Sequence, residues 1–61
     1  NLLKALSPDI REVVVLRMYE EMKFKDIADM MGCSVSTAKS RFRLGISQLK
    51  RMMEGEHDDG R

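Results

Sequence analysis

Sixty-one residues make one domain, and a chain of this size buries only about 60% of its unfolded surface, so its stability is expected to be marginal. A single cysteine excludes an internal disulfide and agrees with a reducing compartment. No apolar run approaches the roughly 20 residues that cross a bilayer and no charged-then-apolar leader is present, so a cytoplasmic chain with no membrane partner is expected.

In chain order, Asn1 to Leu6 reads as the end of a helix, with Leu2, Leu3 and Leu6 at near-helical spacing. With no initiator Met, this is the expected start of a fragment, with further chain preceding Asn1. Ser7-Pro8-Asp9 is a helix start: a hydroxyl cap, proline at the first helical position and an acid at the positive end of the dipole. A helix from Pro8 to about Glu21 follows. Its run Val13, Val14, Val15, Leu16, Met18 and Tyr19 is apolar around more than one face, so it is buried from two sides or leaves a patch for a partner.

Phe24, Ile27, Ala28 and Met31 recur at the i, i+3, i+4, i+7 interval of a short helix with one apolar stripe. Gly32 then enters the left-handed conformation cheaply and stops it, which predicts a tight turn at Gly32 and Cys33. Ser34 stands where an N-cap belongs, and Ala28 is small enough for a steep, close helix crossing. A last helix runs from Val35 to about Met53, roughly 28 Å at the standard rise. At 100° per residue, Val35, Ala38, Phe42, Gly45, Ile46, Leu49 and Met53 share its core side, with Phe42 as the anchor against Ile27, Ala28, Val13 and Val14.

The opposite arc holds Ser36, Thr37, Ser40, Leu44, Ser47, Gln48 and Arg51, with Lys39, Arg43 and Lys50 on one shoulder and Arg41 on the other. Lys39, Arg41, Arg43, Lys50 and Arg51 face no acid between Val35 and Met53, a local charge of +5 that leaves −4 elsewhere for the formal total of +1. The near-neutral total conceals a polarised molecule whose positive helix is the one a helix-turn-helix offers to the major groove. Short hydroxyls suit close approach to base edges, and the flanking cations neutralise phosphate. Residues 54–61 hold four acids, two glycines and no apolar side chain, and read as a polar, disordered tail. Neither repeats nor β-type alternation occur. The expected fold is all-α, a small four-helix domain over residues 1–53 containing a helix-turn-helix.

The segment DIREVVVLRMYEEMKFKDIADMMGCSVSTAKSRFR resembles region four, the C-terminal promoter-binding domain of bacterial sigma factors, and is most similar to the extracytoplasmic-function group. The resemblance covers Ser7 to about Met53 and is most specific from Cys33 to Arg41. It implies reading of the upstream, minus-thirty-five promoter element by the last helix, with base and phosphate contacts on Ser36, Thr37, Lys39, Ser40, Arg41 and the turn after it. Together with the charge pattern, the expected DNA-facing set is Ser36, Thr37, Lys39, Ser40, Arg41, Arg43, Ser47, Lys50 and Arg51. The resemblance further implies docking on the flap of core RNA polymerase and restraint by an anti-sigma factor.

The family commonly continues R-A-R where this chain has Leu44, Gly45 and Ile46, so two expected cations are absent. Either phosphate contacts there are weaker, or Arg43 and Arg51 replace them. Lys23 stands where a Ser or Thr cap is favoured, a loss of about 1 kcal/mol if nothing else caps the helix.

Other residues read more plainly. Cys33 fills the turn, His57 is solvated, and one Cys with one His makes no zinc site. The six Met residues are adaptable packing. No nucleophile-base pair or phosphate-cradling glycine loop is present, so neither an enzyme nor a cofactor is expected. Two other readings stand beside the sigma one: the output domain of a response-regulator-type activator, which Lys39-Ser40-Arg41 disfavours, and a sigma-like decoy that occupies an anti-sigma factor without reading DNA.

Overall fold

A computed structural model describes residues 2–57, with side chains as far as residue 54. Every described element is helical: a 3-10 helix Leu2–Ala5, then α1 (Pro8–Met18), α2 (Phe24–Met31) and α3 (Val35–His57). The all-α class holds, with three α-helices where four were expected. The segment before Pro8 closes only an i to i+3 bond, Leu6 N–H to the Leu3 carbonyl at 3.1 Å. Proline explains the break, because it disfavours helical backbone in the residue before it, and Ser7 is extended at ψ 156°. Pro8 occupies the first turn as expected, but Ser7 offers no side-chain cap; only its carbonyl enters the helix, accepting from Arg11 N–H at 2.8 Å.

Helix α1 ends at Met18, three residues before its expected limit. Glu21 adopts a left-handed φ of 55°, a conformation that L side chains other than Asn and Asp seldom visit. Met22 N–H reaches back to the Leu16 carbonyl at 3.1 Å, and the Arg17 guanidinium donates to the Met22 carbonyl at 2.9 Å. The same guanidinium lies 5.0 Å from the Phe24 ring centroid, and Phe24 meets Phe42 edge to face at 5.5 Å. One chain of contacts thus joins the end of α1, the start of α2 and the middle of α3.

The core is the intersection of the three helices: Val13 and Leu16 of α1, Ile27 and Ala28 of α2, and Ala38 of α3, with Met22, Phe24, Met31, Cys33 and Phe42 packed around them. Its centre is aliphatic. Ile27 and Ala38 are fully buried, whereas Phe42, expected to be the anchor, is half-buried at the edge of the cluster. The other face of α1 turns Val14, 1% exposed, toward α3. The apolar character of α1 therefore has both expected explanations: two buried sides, and an exposed end at Met18 and Tyr19.

Helix α3 crosses that second side at Gly45. A Cβ built there lies 2.6 Å from Val14 Cγ2 and 2.8 Å from Ile10 Cγ2, closer than real Cβ contacts come. Both neighbours are β-branched and stiff, so the glycine is what lets the helix backbones approach.

These contacts set two stability expectations, both readable by thermal melts followed by circular dichroism. Ile27→Ala should fall at the upper end of the roughly 2–5 kcal/mol range for such truncations, and Phe42→Ala lower, at about 2–3 kcal/mol, because its ring is half solvated. Phe42→Ala melting below Ile27→Ala would move the centre of the core to the aromatic pair. Gly45→Ala should lose about 1–2 kcal/mol, overpacking outweighing the gain of about 1 kcal/mol in helix propensity. A raised melting temperature would mean that α1 and α3 separate without cost.

Candidate nucleic-acid interface

The turn between α2 and α3 forms as its residue types predict. Gly32 is left-handed at φ 70° and its N–H donates to the Asp29 carbonyl at 3.4 Å, while Cys33 N–H donates to the Ala28 carbonyl at 3.0 Å. These two bonds satisfy carbonyls that the end of α2 would otherwise leave unpaired. Cys33 is half-buried with a free thiol packed on the core, as a small turn residue should be. Ser34 Oγ then accepts the Thr37 backbone N–H at 3.0 Å, which starts α3. No side chain caps α2 at Lys23.

A second bond closes this cap. The Ser34 hydroxyl donates to Thr37 Oγ1 at 2.9 Å, a pairing that the Ser-x-x-Thr spacing permits but the sequence reading did not identify.

From that start α3 continues for 23 residues, to His57, four beyond its expected end. The part of the expected polar tail from Asp58 to Arg61 lies outside the described residues. The inward face is the expected one at its centre, since Ala38 and Gly45 are buried and Phe42, Ile46 and Leu49 half-buried. It is narrower than expected. Val35 is 39% exposed and Met53 52% exposed, at the two ends of the expected stripe.

Ser36, Lys39, Ser40, Arg43, Ser47, Lys50 and Arg51 are exposed along the outward arc, whereas Thr37 and Arg41 are half-buried on its shoulder. Lys39 and Arg51 are about 18 Å apart along the axis at the standard rise. Among the described residues no carboxylate forms an ion pair with any of the five cations. Lys39, Arg43, Lys50 and Arg51 are exposed, and exposed cations can neutralise phosphate.

The positions that depart from the R-A-R pattern divide sharply. Gly45 is buried in the α1 crossing and Ile46 half-buried, so neither belongs to the outward surface, while Leu44 is 48% exposed on it. Among the described residues no helix is long and apolar enough to cross a membrane, and no group of three or more His, Cys, Asp or Glu residues is placed to hold a metal ion.

Residues 1–49 match the family described as Sigma-70, region 4. The chain is 36% identical over all 61 residues to an RNA polymerase sigma-E factor of Streptomyces avermitilis, covering 34% of that protein. It is 36% identical over 59 residues, 97% of the chain, to an RNA polymerase sigma-E factor of Streptomyces antibioticus, covering 33% of it. Over its full length it is 34% identical to the sigma-E factor of Streptomyces coelicolor, again covering 34%. The chain thus spans about a third of the length of these curated relatives. No solved structure matches it.

Proposed function

We propose, because the chain belongs to the sigma-70 region 4 family in its extracytoplasmic-function form, that it binds promoter DNA by laying α3 in the major groove. The family is DNA-binding and non-enzymatic and serves transcription initiation with core RNA polymerase. One observation carries the reading: five cations on a single helix, none paired with an acid among the described residues, alternate with exposed short hydroxyls.

On this reading the minus-thirty-five element meets the first two turns of α3. Ser36, Thr37, Lys39, Ser40 and Arg41 approach base edges and nearby phosphates there, while Arg43, Ser47, Lys50 and Arg51 track the backbone. An apolar groove of about 330 Å³, lined by Leu2, Leu3, Val14, Met18, Tyr19, Leu49 and Met53, is the surface for the polymerase flap. An anti-sigma factor that masks either surface would hold the domain inactive.

Lys39→Ala or Arg41→Ala should weaken binding to promoter DNA by about 1–3 kcal/mol relative to scrambled duplex, whereas Lys50→Ala should weaken both alike. Fluorescence anisotropy with the two duplexes measures this. Unchanged specific affinity after Lys39→Ala at low salt would sink the docking.

A second reading is favoured by the exposed Leu44 and the apolar groove: a protein-interaction domain that keeps the fold without reading DNA. A salt series separates the two. A DNA reader should lose affinity with a log-log slope of several units, about 0.9 for each phosphate neutralised. Leu44→Arg should raise affinity and steepen that slope by about one unit. Two flat, superimposable titrations would favour the protein-interaction reading.

A further inference from the structure

We propose that Leu44, outside the expected DNA-facing set, is a specificity-determining residue that packs on the C5-methyl group of a thymine in the bound DNA. The inference rests on the reading of α3 as the DNA-facing helix and names a base that the helix selects. Four other exposed apolar side chains, Leu2, Met18, Tyr19 and Met53, share one place, the groove that also holds Val14 and Leu49. Leu44 is 48% exposed and lies outside that lining, on the arc that carries the hydroxyls and cations.

Its direction is set by its neighbour. Gly45 is pressed against Val14 and Ile10, so the residue before it, about 100° around the helix, is turned outward. At the same angle per residue Leu44 lies about 40° from Ser40 and one turn further along, between the shoulder of Lys39, Arg43 and Lys50 and that of Arg41. Cations that border the arc neutralise phosphate, and side chains between them meet base edges. Of the groups a base pair shows in the major groove, hydrogen-bond donors and acceptors gain nothing from a leucine, and the thymine C5-methyl is the apolar one. Packing on it removes apolar surface from water on both sides. Where the family commonly places an arginine, this chain thus exchanges ionic affinity for base selection.

The test removes the methyl from the DNA and the leucine from the protein. Duplexes are selected by the wild-type chain from a randomised pool, and each thymine of the selected sequence is then replaced in turn by deoxyuridine, which differs by that methyl alone. Alanine is the best helix former and Leu44 is half-exposed, so Leu44→Ala keeps the helix, and a melt checks that the fold survives. At one thymine, deoxyuridine should weaken wild-type binding about two- to fourfold and leave Leu44→Ala binding unchanged. Leu44→Ala should lose a similar factor on the thymine duplex and nothing on the deoxyuridine duplex, with the salt slope unaltered because no phosphate contact is lost. Leu44→Arg should add about one unit of slope and abolish the methyl dependence.

Wild-type binding indifferent to deoxyuridine at every thymine would overturn the proposal. So would a methyl effect that persists at full size in Leu44→Ala, since another residue would then read the methyl, or a Leu44→Ala loss equal on the two duplexes. In each of these cases the wild type still selects a sequence, and only the Leu44 assignment falls. A wild-type chain that enriches no sequence from the pool and titrates flat with salt would remove the DNA-facing reading of α3 and this proposal with it.

Discussion

The crossing of α1 and α3 has no room for a methyl group at Gly45, and the arrangement of the rest of the molecule follows from that contact. Ala38 and Gly45 are two helical turns apart on one face of α3, and both are buried. A helix held at two points on one line cannot roll about its axis. Its outward arc is thereby fixed in direction, and with it Lys39, Arg43, Lys50 and Arg51. Small residues on the inside thus orient the helix, while among the described residues the cations themselves make no hydrogen bond or ion pair. In a domain this short, where a few kcal/mol separate folded from unfolded, such packing is also the main source of stability.

The same economy governs the positive charges. Arg17 lies over the Phe24 ring and holds the Met22 carbonyl, so its charge serves to close the α1–α2 connection. That connection contains Glu21 in a left-handed conformation costing on the order of 1–3 kcal/mol, which the Arg17 bonds and the Phe24–Phe42 contact offset. The guanidinium is spent on the fold. The cations of α3 are the opposite case, for among the described residues none of them is engaged by a hydrogen bond or ion pair.

What could be read in advance follows the range of the forces involved. The α2–turn–α3 unit was legible almost residue by residue, because a helix stripe, a left-handed glycine and a serine cap are local devices with local signals in Phe24 to Thr37. The inward phase of α3 was legible at its centre for the same reason. Its ends were not: Val35 and Met53 carry apolar side chains yet stay 39% and 52% exposed, and only the tertiary packing decides that. The end of α1 was misplaced because Glu21 has no intrinsic preference for the turn it makes and is held there by Arg17 from four residues earlier. Ser7 carried the residue type of a cap, yet only its carbonyl takes that role. In the candidate site, the charges and hydroxyls were visible in the sequence, whereas the bond between Ser34 and Thr37 needed the coordinates.

The departure at Leu44, Gly45 and Ile46 changes meaning once the burial of each is known. Two cations are missing relative to the family pattern, but a charge at residue 46 would stand half-buried beside the core, where desolvation weakens its value to a phosphate. Only the absence at Leu44 alters the exposed arc. Of the two candidate replacements, Arg51 lies within about 20° of Leu44 around the helix and two turns further along, whereas Arg43 is about 100° away. A phosphate strand running along the line of Leu44 would therefore meet Arg51 next, roughly 10 Å on, and Arg43 belongs to the neighbouring strand of charge with Lys39 and Lys50. The helix presents two cationic edges of unequal strength, with Lys39, Arg43 and Lys50 on one, Arg51 with a leucine on the other and the half-buried Arg41 beyond it, so its contact with a duplex is expected to be asymmetric across the groove.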